Sequence, residues 1–190
     1  MASISLKNKS KSGNLTAPGD VDPGAMIPLM TATPSGTGTV TFSNIPQNYE
    51  HLQIRMLCAT STAAAVFVRF NGDATDMYYN HELSGDGSNT NATSRTTRTG
   101  AIIQSGGFPS ATSYFGASIM DILDYTNTNK YKTTRTLTGQ DQNGSGAVYF
   151  QSGAYPLTTA VTSITLVVNG GYNFNANTHI ALYGIKRAGA

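Results

Sequence analysis

The chain has 190 residues, a formal net charge of +2, and only 12% of its residues are charged. Such a length suits one domain with a single core. Scattered weak charge supplies no general field for nucleic acid, and no apolar run approaches the ~18 residues of a membrane-spanning helix. Ten Tyr, seven Phe and many Val, Ile and Leu exclude intrinsic disorder, which lacks such residues and usually carries high net charge.

Residues 1–36 differ from the remainder. Pro18, Pro23 and Pro28, with Gly19 and Gly24, exclude a helix and argue against central-strand pairing. An extended arm over 1–36 is expected to dock on neighbouring subunits, with Met26, Ile27, Leu29 and Met30 as its apolar anchors. Lys7, Lys9 and Lys11 read as a solvated leader, because phosphate tracking needs more contacts than three. The beginning of the sequence has no apolar segment of the secretory type.

Short strands follow from Thr37. Thr37–Ile45 closes at Pro46, and Leu52, Ile54, Met56 and Cys58 then alternate through Glu50–Cys58. Val66, Val68 and Phe70 mark a third strand ending at Asn71-Gly72, and Met77, Tyr79, His81 and Leu83 share a face of a fourth. Ser84–Gly100 reads as a polar loop, with a short strand at Ala101–Gln104. Tyr114–Thr138 reads as a β-hairpin: Phe115, Ala117, Ile119, Asp121 and Leu123 lie on one face of its first arm, and Asp124–Asn129 is an Asx-rich connection. Ala147–Gln151, the alternating Thr162, Ile164, Leu166 and Val168, and Thr178–Lys186 complete the series. Eight to ten strands without an amphipathic helix predict an all-β fold: an antiparallel β-sandwich, jelly-roll-like, over 37–190 with the arm before it.

The inventory for chemistry is thin. Cys58 is alone, so no internal disulfide forms, and it reads as a buried core thiol. His51, His81 and His179 fall in three strands without metal-ligand spacing. Asp73, Asp76 and Asp86, with Glu82, offer a candidate Ca²⁺ or glycoside-hydrolysing cluster, although turn aspartates more commonly cap their own backbone. Tyr78, Tyr79, Tyr125, Tyr131, Tyr149, Tyr155, Tyr172 and Tyr183 are candidates to line a sugar-binding groove. Asp121 shares a face with Ile119 and Leu123, which suits turn or subunit hydrogen bonds better than acid–base chemistry. Asp124, Lys130 and Lys132 of the same hairpin are weighed with it. No nucleophile elbow, phosphate loop or dinucleotide fingerprint is present. The expectation is a non-enzymatic protein with no catalytic residues and no cofactor or metal.

Three stretches carry a family resemblance. They are Tyr49–Arg55 followed by Phe70–Asp73 and Tyr79–Gly87; Asp121–Lys132; and the ending Ala181–Lys186. With the leader Leu6–Gly24, they resemble a family of tailed-bacteriophage virion structural proteins. The resemblance implies a particle protein, either head decoration (cement) or a tail, fibre or baseplate component. It would be made in the host cytoplasm and located on the particle exterior. Its implied partners are other virion proteins and further copies of itself, with a trimer as the form that matches particle symmetry; nucleic acid and membrane are not among them. The alternative is a receptor-binding module for host surface glycans, with Ser84–Gly100 as the variable tip.

Overall fold

The computed structural model describes residues 24–187. Residues 1–23, which include Lys7, Lys9, Lys11 and most of the expected arm, lie outside the described residues. The described residues form twelve strands: β1 Met26–Ala32, β2 Thr39–Phe42, β3 His51–Cys58, β4 Ala64–Phe70, β5 Tyr78–Gly85, β6 Thr90–Arg98, β7 Ala101–Phe108, β8 Gly116–Leu123, β9 Lys132–Asp141, β10 Gly146–Tyr155, β11 Ile164–Val168 and β12 His179–Ile185. They form an eight-stranded sheet of order β1-β12-β3-β8-β9-β10-β5-β6 and a four-stranded sheet of order β2-β11-β4-β7. Every ladder is antiparallel. The all-β, jelly-roll-like sandwich expected from the sequence is what the chain forms.

Alternation puts the core where strands of both sheets face each other. Leu52, Ile54, Met56 and Cys58 of β3, Met120 and Ile122 of β8, and Ile180 and Leu182 of β12 line the large sheet. Val66, Val68 and Phe70 of β4 and Ile164, Leu166 and Val168 of β11 oppose them. Each large side chain buried there contributes about 1.5–3 kcal/mol relative to exposure. An aromatic group closes one end, with Tyr78 stacked on Tyr155 at 4.7 Å and Phe70 edge-on to Tyr155 at 5.5 Å.

Two expected boundaries move. Met26, Ile27, Leu29 and Met30, assigned from the sequence to a docking arm, belong to β1, which pairs with β12 of the same chain, and Leu29 and Met30 pack against the core. The sandwich therefore begins near residue 26 rather than 37. Pro28 is tolerated because β1 is an edge strand, where a missing N–H costs no ladder bond, and the register shifts between Pro28 and Met30. Ser84–Gly100 is not a loop either. Its Thr90–Arg98 part pairs with β5 as the opposite edge strand, and an edge needs β-branched threonines more than apolar alternation.

The inner face changes character beyond β8. On β9 it presents Lys132, Thr134, Thr136 and Thr138, all buried, and on β10 and β5 it presents Gln151, Gly153, Asn80 and Glu82. Two of these groups, Asn80 and Thr138, are bonded to the strand that covers them. The Ile102 N–H donates to Asn80 Oδ1 at 3.1 Å. Thr138 Oγ1 donates to the Ile103 carbonyl at 2.9 Å and lies 2.7 Å from Ser118 Oγ. Strand β7 has only β4 as a ladder partner, so these side chains satisfy backbone groups that would otherwise be buried without one. Gly153 is required at the same place: a Cβ there would stand 2.5 Å from Thr134 Oγ1 and 3.0 Å from Asn80 Oδ1.

Lys132 is fully buried, and its ammonium donates to the carbonyls of Asn127, Lys130 (3.2 Å) and Thr158 (3.0 Å). It thus ties the β8–β9 connection to the segment after β10. Burial lowers its pKa, and the carboxylate of Asp124 acts in the opposite direction. Lys132→Met keeps most of the stem but removes the donor from three carbonyls. It is expected to cost about 3 kcal/mol in urea unfolding with an unchanged m value. A loss below about 0.5 kcal/mol, the scale of an ordinary surface change, would show that the ammonium does not hold these segments together.

Candidate functional site

The most unusual surface is the outer face of the eight-stranded sheet. Because Thr134, Thr136 and Thr138 point inward, Leu137 points out; because Gln151 points inward, Val148 and Phe150 point out. The same holds for Leu83 on β5, opposite Asn80 and Glu82. Leu83, Leu137, Val148 and Phe150 are 57%, 53%, 56% and 48% exposed. Register joins Leu83, Phe150 and Leu137 into one row: Ala92–Leu83–Phe150–Leu137–Ile119–Arg55–Ala181, running from β6 to β12. A parallel row adds Val148–Gly139–Ala117–Leu57–His179.

Beside the apolar rows runs a polar one, and its groups bond to each other. Asp121 accepts from Gln53 Nε2 at 2.8 Å and from Arg135 NH2 at 2.9 Å. Arg55 Nε donates to Gln53 Oε1 at 2.9 Å, and its guanidinium lies 5.7 Å from the centre of the Tyr183 ring. Asp121 is therefore a side-chain bridge across β3, β8 and β9, where the sequence pointed to turn or subunit hydrogen bonds. Two depressions lie on this face. One, of about 600 Å³, is lined by Leu57, Ala117, Ile119, Leu137 and Val148 with Tyr183 among its other walls. The second, of about 520 Å³, has Leu83 and Phe150 beside His81 and Ala92.

The residues singled out for chemistry are dispersed. Asp73 precedes β5 and Asp86 follows it, so the eight residues of β5 separate them by about 25 Å. Asp73 accepts from the Thr75 N–H at 2.9 Å and from Tyr155 Oη at 2.7 Å. Asp86 accepts from the N–H groups of Ser88 (2.9 Å) and Asn89 (2.6 Å), capping its own turn. Glu82 is buried on the inner face, where Gln151 Nε2 donates to it at 2.9 Å. The expected acidic cluster of Asp73, Asp76, Glu82 and Asp86 is thus not assembled, and with it goes the calcium or glycosidase geometry. Tyrosines scatter likewise: Tyr78, Tyr125 and Tyr155 are core residues, while Tyr79, Tyr131 and Tyr172 are exposed on separate elements. Burial pushes the Cys58 thiol up to about 12, partly offset by a hydrogen bond with Thr178, which makes it an inert core group at neutral pH.

The structure brings together one group that the sequence does not announce. Ligand-type atoms of Glu50, His51 and Asp124 lie within 4.8 Å of one another. Each of the three already has a partner among the described residues. His51 Nδ1 accepts the Asp124 N–H at 3.0 Å, Asp124 Oδ2 holds Lys130 Nζ at 2.7 Å, and Glu50 Oε1 lies 3.6 Å from Arg187 Nε. The Lys130 hydrogen bond, aided by nearby positive charge and opposed by burial, holds the Asp124 carboxyl below the usual range. Two cations and an occupied imidazole nitrogen make this a clip between β3 and the β8–β9 connection.

No family model matches the chain, and no curated protein matches it. Among solved structures it is similar to the Caenorhabditis elegans galectin LEC-6, at 8% identity, over 83% of this chain and 96% of that one, with a TM-score of 0.33.

Asp73 supplies a pH test. Burial works to raise its pKa, but the hydrogen bonds from Thr75 and Tyr155 outweigh it and hold the carboxyl below the ordinary aspartate value. Stability from a depressed carboxylate is present above the unfolded value, about 3.9, and is lost as pH falls through the folded one. Asp73→Asn is expected to lower Tm by roughly 2–4 °C at neutral pH, about 1 kcal/mol, with the gap closing as pH falls below the ordinary aspartate value. A gap that stays constant across a pH series of thermal melts would remove the carboxylate from this role.

Proposed function

We propose that this chain is a non-enzymatic structural protein of a tailed-phage particle, joined to other virion proteins through its β-sandwich and its leading segment. The observation that carries this reading is the outer face of the large sheet, where a row of apolar side chains crosses several strands in the open while threonines and amides fill the interior behind it. Isolated soluble domains rarely leave a contiguous apolar patch of that extent uncovered. The sequence resemblance supplies the particle context, and the candidate acidic residues Asp73, Glu82 and Asp86 lie apart, each with its own hydrogen-bond partners. Host-glycan recognition through loop tyrosines and asparagines is the alternative, and of the candidate tyrosines Tyr78, Tyr125 and Tyr155 lie in the core.

On a head the chain would act as decoration or cement, and on a tail as a fibre, adaptor or baseplate part. Its copy number separates these: hundreds for a head and far fewer for a tail. Quantitative mass spectrometry of gradient-purified particles is expected to find the chain at a fixed stoichiometry, and its absence from them would overturn the reading.

The leading segment is testable separately, and β1 sets where to cut. Removing residues 1–36 would strip β1 from the sheet, whereas removing 1–23 leaves every described strand intact. The 1–23 deletion is expected to keep the far-ultraviolet circular dichroism of the full chain while failing to enter particles in a complementation assay. Wild-type incorporation would show that the segment has no docking role.

A further inference from the structure

We propose that the outer face of the eight-stranded sheet is a twofold contact with a second copy of this chain. The inference rests on the assembly reading only in that both require this face to be covered; it adds which surface covers it.

Charge decides between kinds of partner. Arg135 is bonded to Asp121, Asp121 to Gln53, and Gln53 to Arg55, whose guanidinium also lies near the Tyr183 ring. Asp121 offsets Arg135, while Arg55 is held by the neutral Gln53 and the Tyr183 ring, so the row carries a slight positive excess rather than a block of one sign that would attract an acidic partner. A near-neutral surface with an apolar row suits another of the same description, and a copy of this face is one. It also brings no like-charge cluster opposite itself, the usual obstacle to self-association.

Shape supports the same partner. Leu83 and Phe150 stand exposed at the β5–β10 side, and the depression floored by Ile119 and Leu57 lies at the β8–β3 side of the same face. In a twofold contact each copy offers the same patch, so residue i meets j while j meets i. Leu83 and Phe150 of one copy then enter the depression of the other, reciprocally. Leu137 lies between the two features in the cross-strand row, with Phe150 on one side and Ile119 on the other, which puts it close to the twofold axis.

The area is sufficient. Five strands, β5 to β3, spaced about 4.8 Å apart and about seven residues long cover close to 600 Å² per copy and roughly 1,200 Å² in a pair, the lower end for a specific interface. Face-to-face sheets also pack about 10 Å apart, a distance that exposed Leu and Phe side chains fill.

Sedimentation of the purified full chain tests this without any particle. The wild type is expected to sediment as a dimer, and Leu137→Asp as a monomer with unchanged circular dichroism. Should that variant fail to fold, Leu137→Cys is the second test. Cys58, the native thiol, is buried, so mild oxidation is expected to give a disulfide-linked dimer at position 137 but none with Tyr131→Cys, which is exposed in the β8–β9 connection. A monomeric wild type, an oligomer indifferent to Leu137→Asp, or equal cross-linking at both positions would each overturn the proposal. A monomeric chain that is nonetheless found in particles would sink this contact and leave the virion reading standing.

Discussion

Strand β7 imposes the constraint from which much of this molecule follows. It pairs with β4 and with no other strand, yet Ala101, Ile102, Ile103 and Gln104 are all buried against the large sheet. Backbone groups on such a strand have no second ladder and no access to bulk water, and each one left unpaired costs about 1–3 kcal/mol. The chain answers with side chains from the sheet below: Asn80 accepts from Ile102, and Thr138 donates to Ile103. Gln104 meets the same problem within β7, donating to the Gly107 carbonyl at 2.6 Å. A sandwich of eight strands against four is closed at this edge by hydroxyls and amides, not by a further strand.

That solution fixes the orientation of three neighbouring strands. Alternation has period two, so committing Thr138, Gln151 and Asn80 to the interior commits Leu137, Phe150 and Leu83 to the exterior. A one-residue slip of β9 would return Leu137 to the core and expose the threonines, but it would leave β7 without Thr138 and bring Lys132 out of its three carbonyls. The buried ammonium and the polar edge therefore hold one register, and the apolar outer row is its consequence. Polar residues retained in an interior can specify an arrangement rather than simply stabilise it, and Lys132, Thr138 and Asn80 meet that description here.

These facts also explain what could be read from the sequence. The alternating runs in β3, β4 and β11 were legible with their inward faces, because there the apolar face is the buried one, and β12 was legible as a span. The β8–β9 hairpin was legible as strands and as a turn. Its buried side was not, because Leu137 and Thr136 exchange the places that hydropathy assigns them. Strand β6 was hidden for a related reason: Thr90-Asn-Ala-Thr-Ser-Arg-Thr-Thr-Arg98 shows no apolar alternation, and an edge strand that extends past the smaller sheet does not require it. Strand β1 was hidden by Pro28, which excludes a central strand but not an edge. The Glu50–His51–Asp124 clip joins residues 73 positions apart, and only the β3–β8 pairing brings them together.

The candidate surface was invisible for a deeper reason than any single misassigned strand. A site made of chemistry announces itself through residue types: paired carboxylates, a nucleophile, ligands at fixed spacing. A surface made of burial does not, since Leu83, Ile119, Leu137 and Phe150 are the residues that a core uses. Only the side to which they point distinguishes contact from core, and that is set by Asn80, Thr138 and Lys132 on the opposite side of the same strands. The polar residues of this protein define its outer surface by occupying its interior.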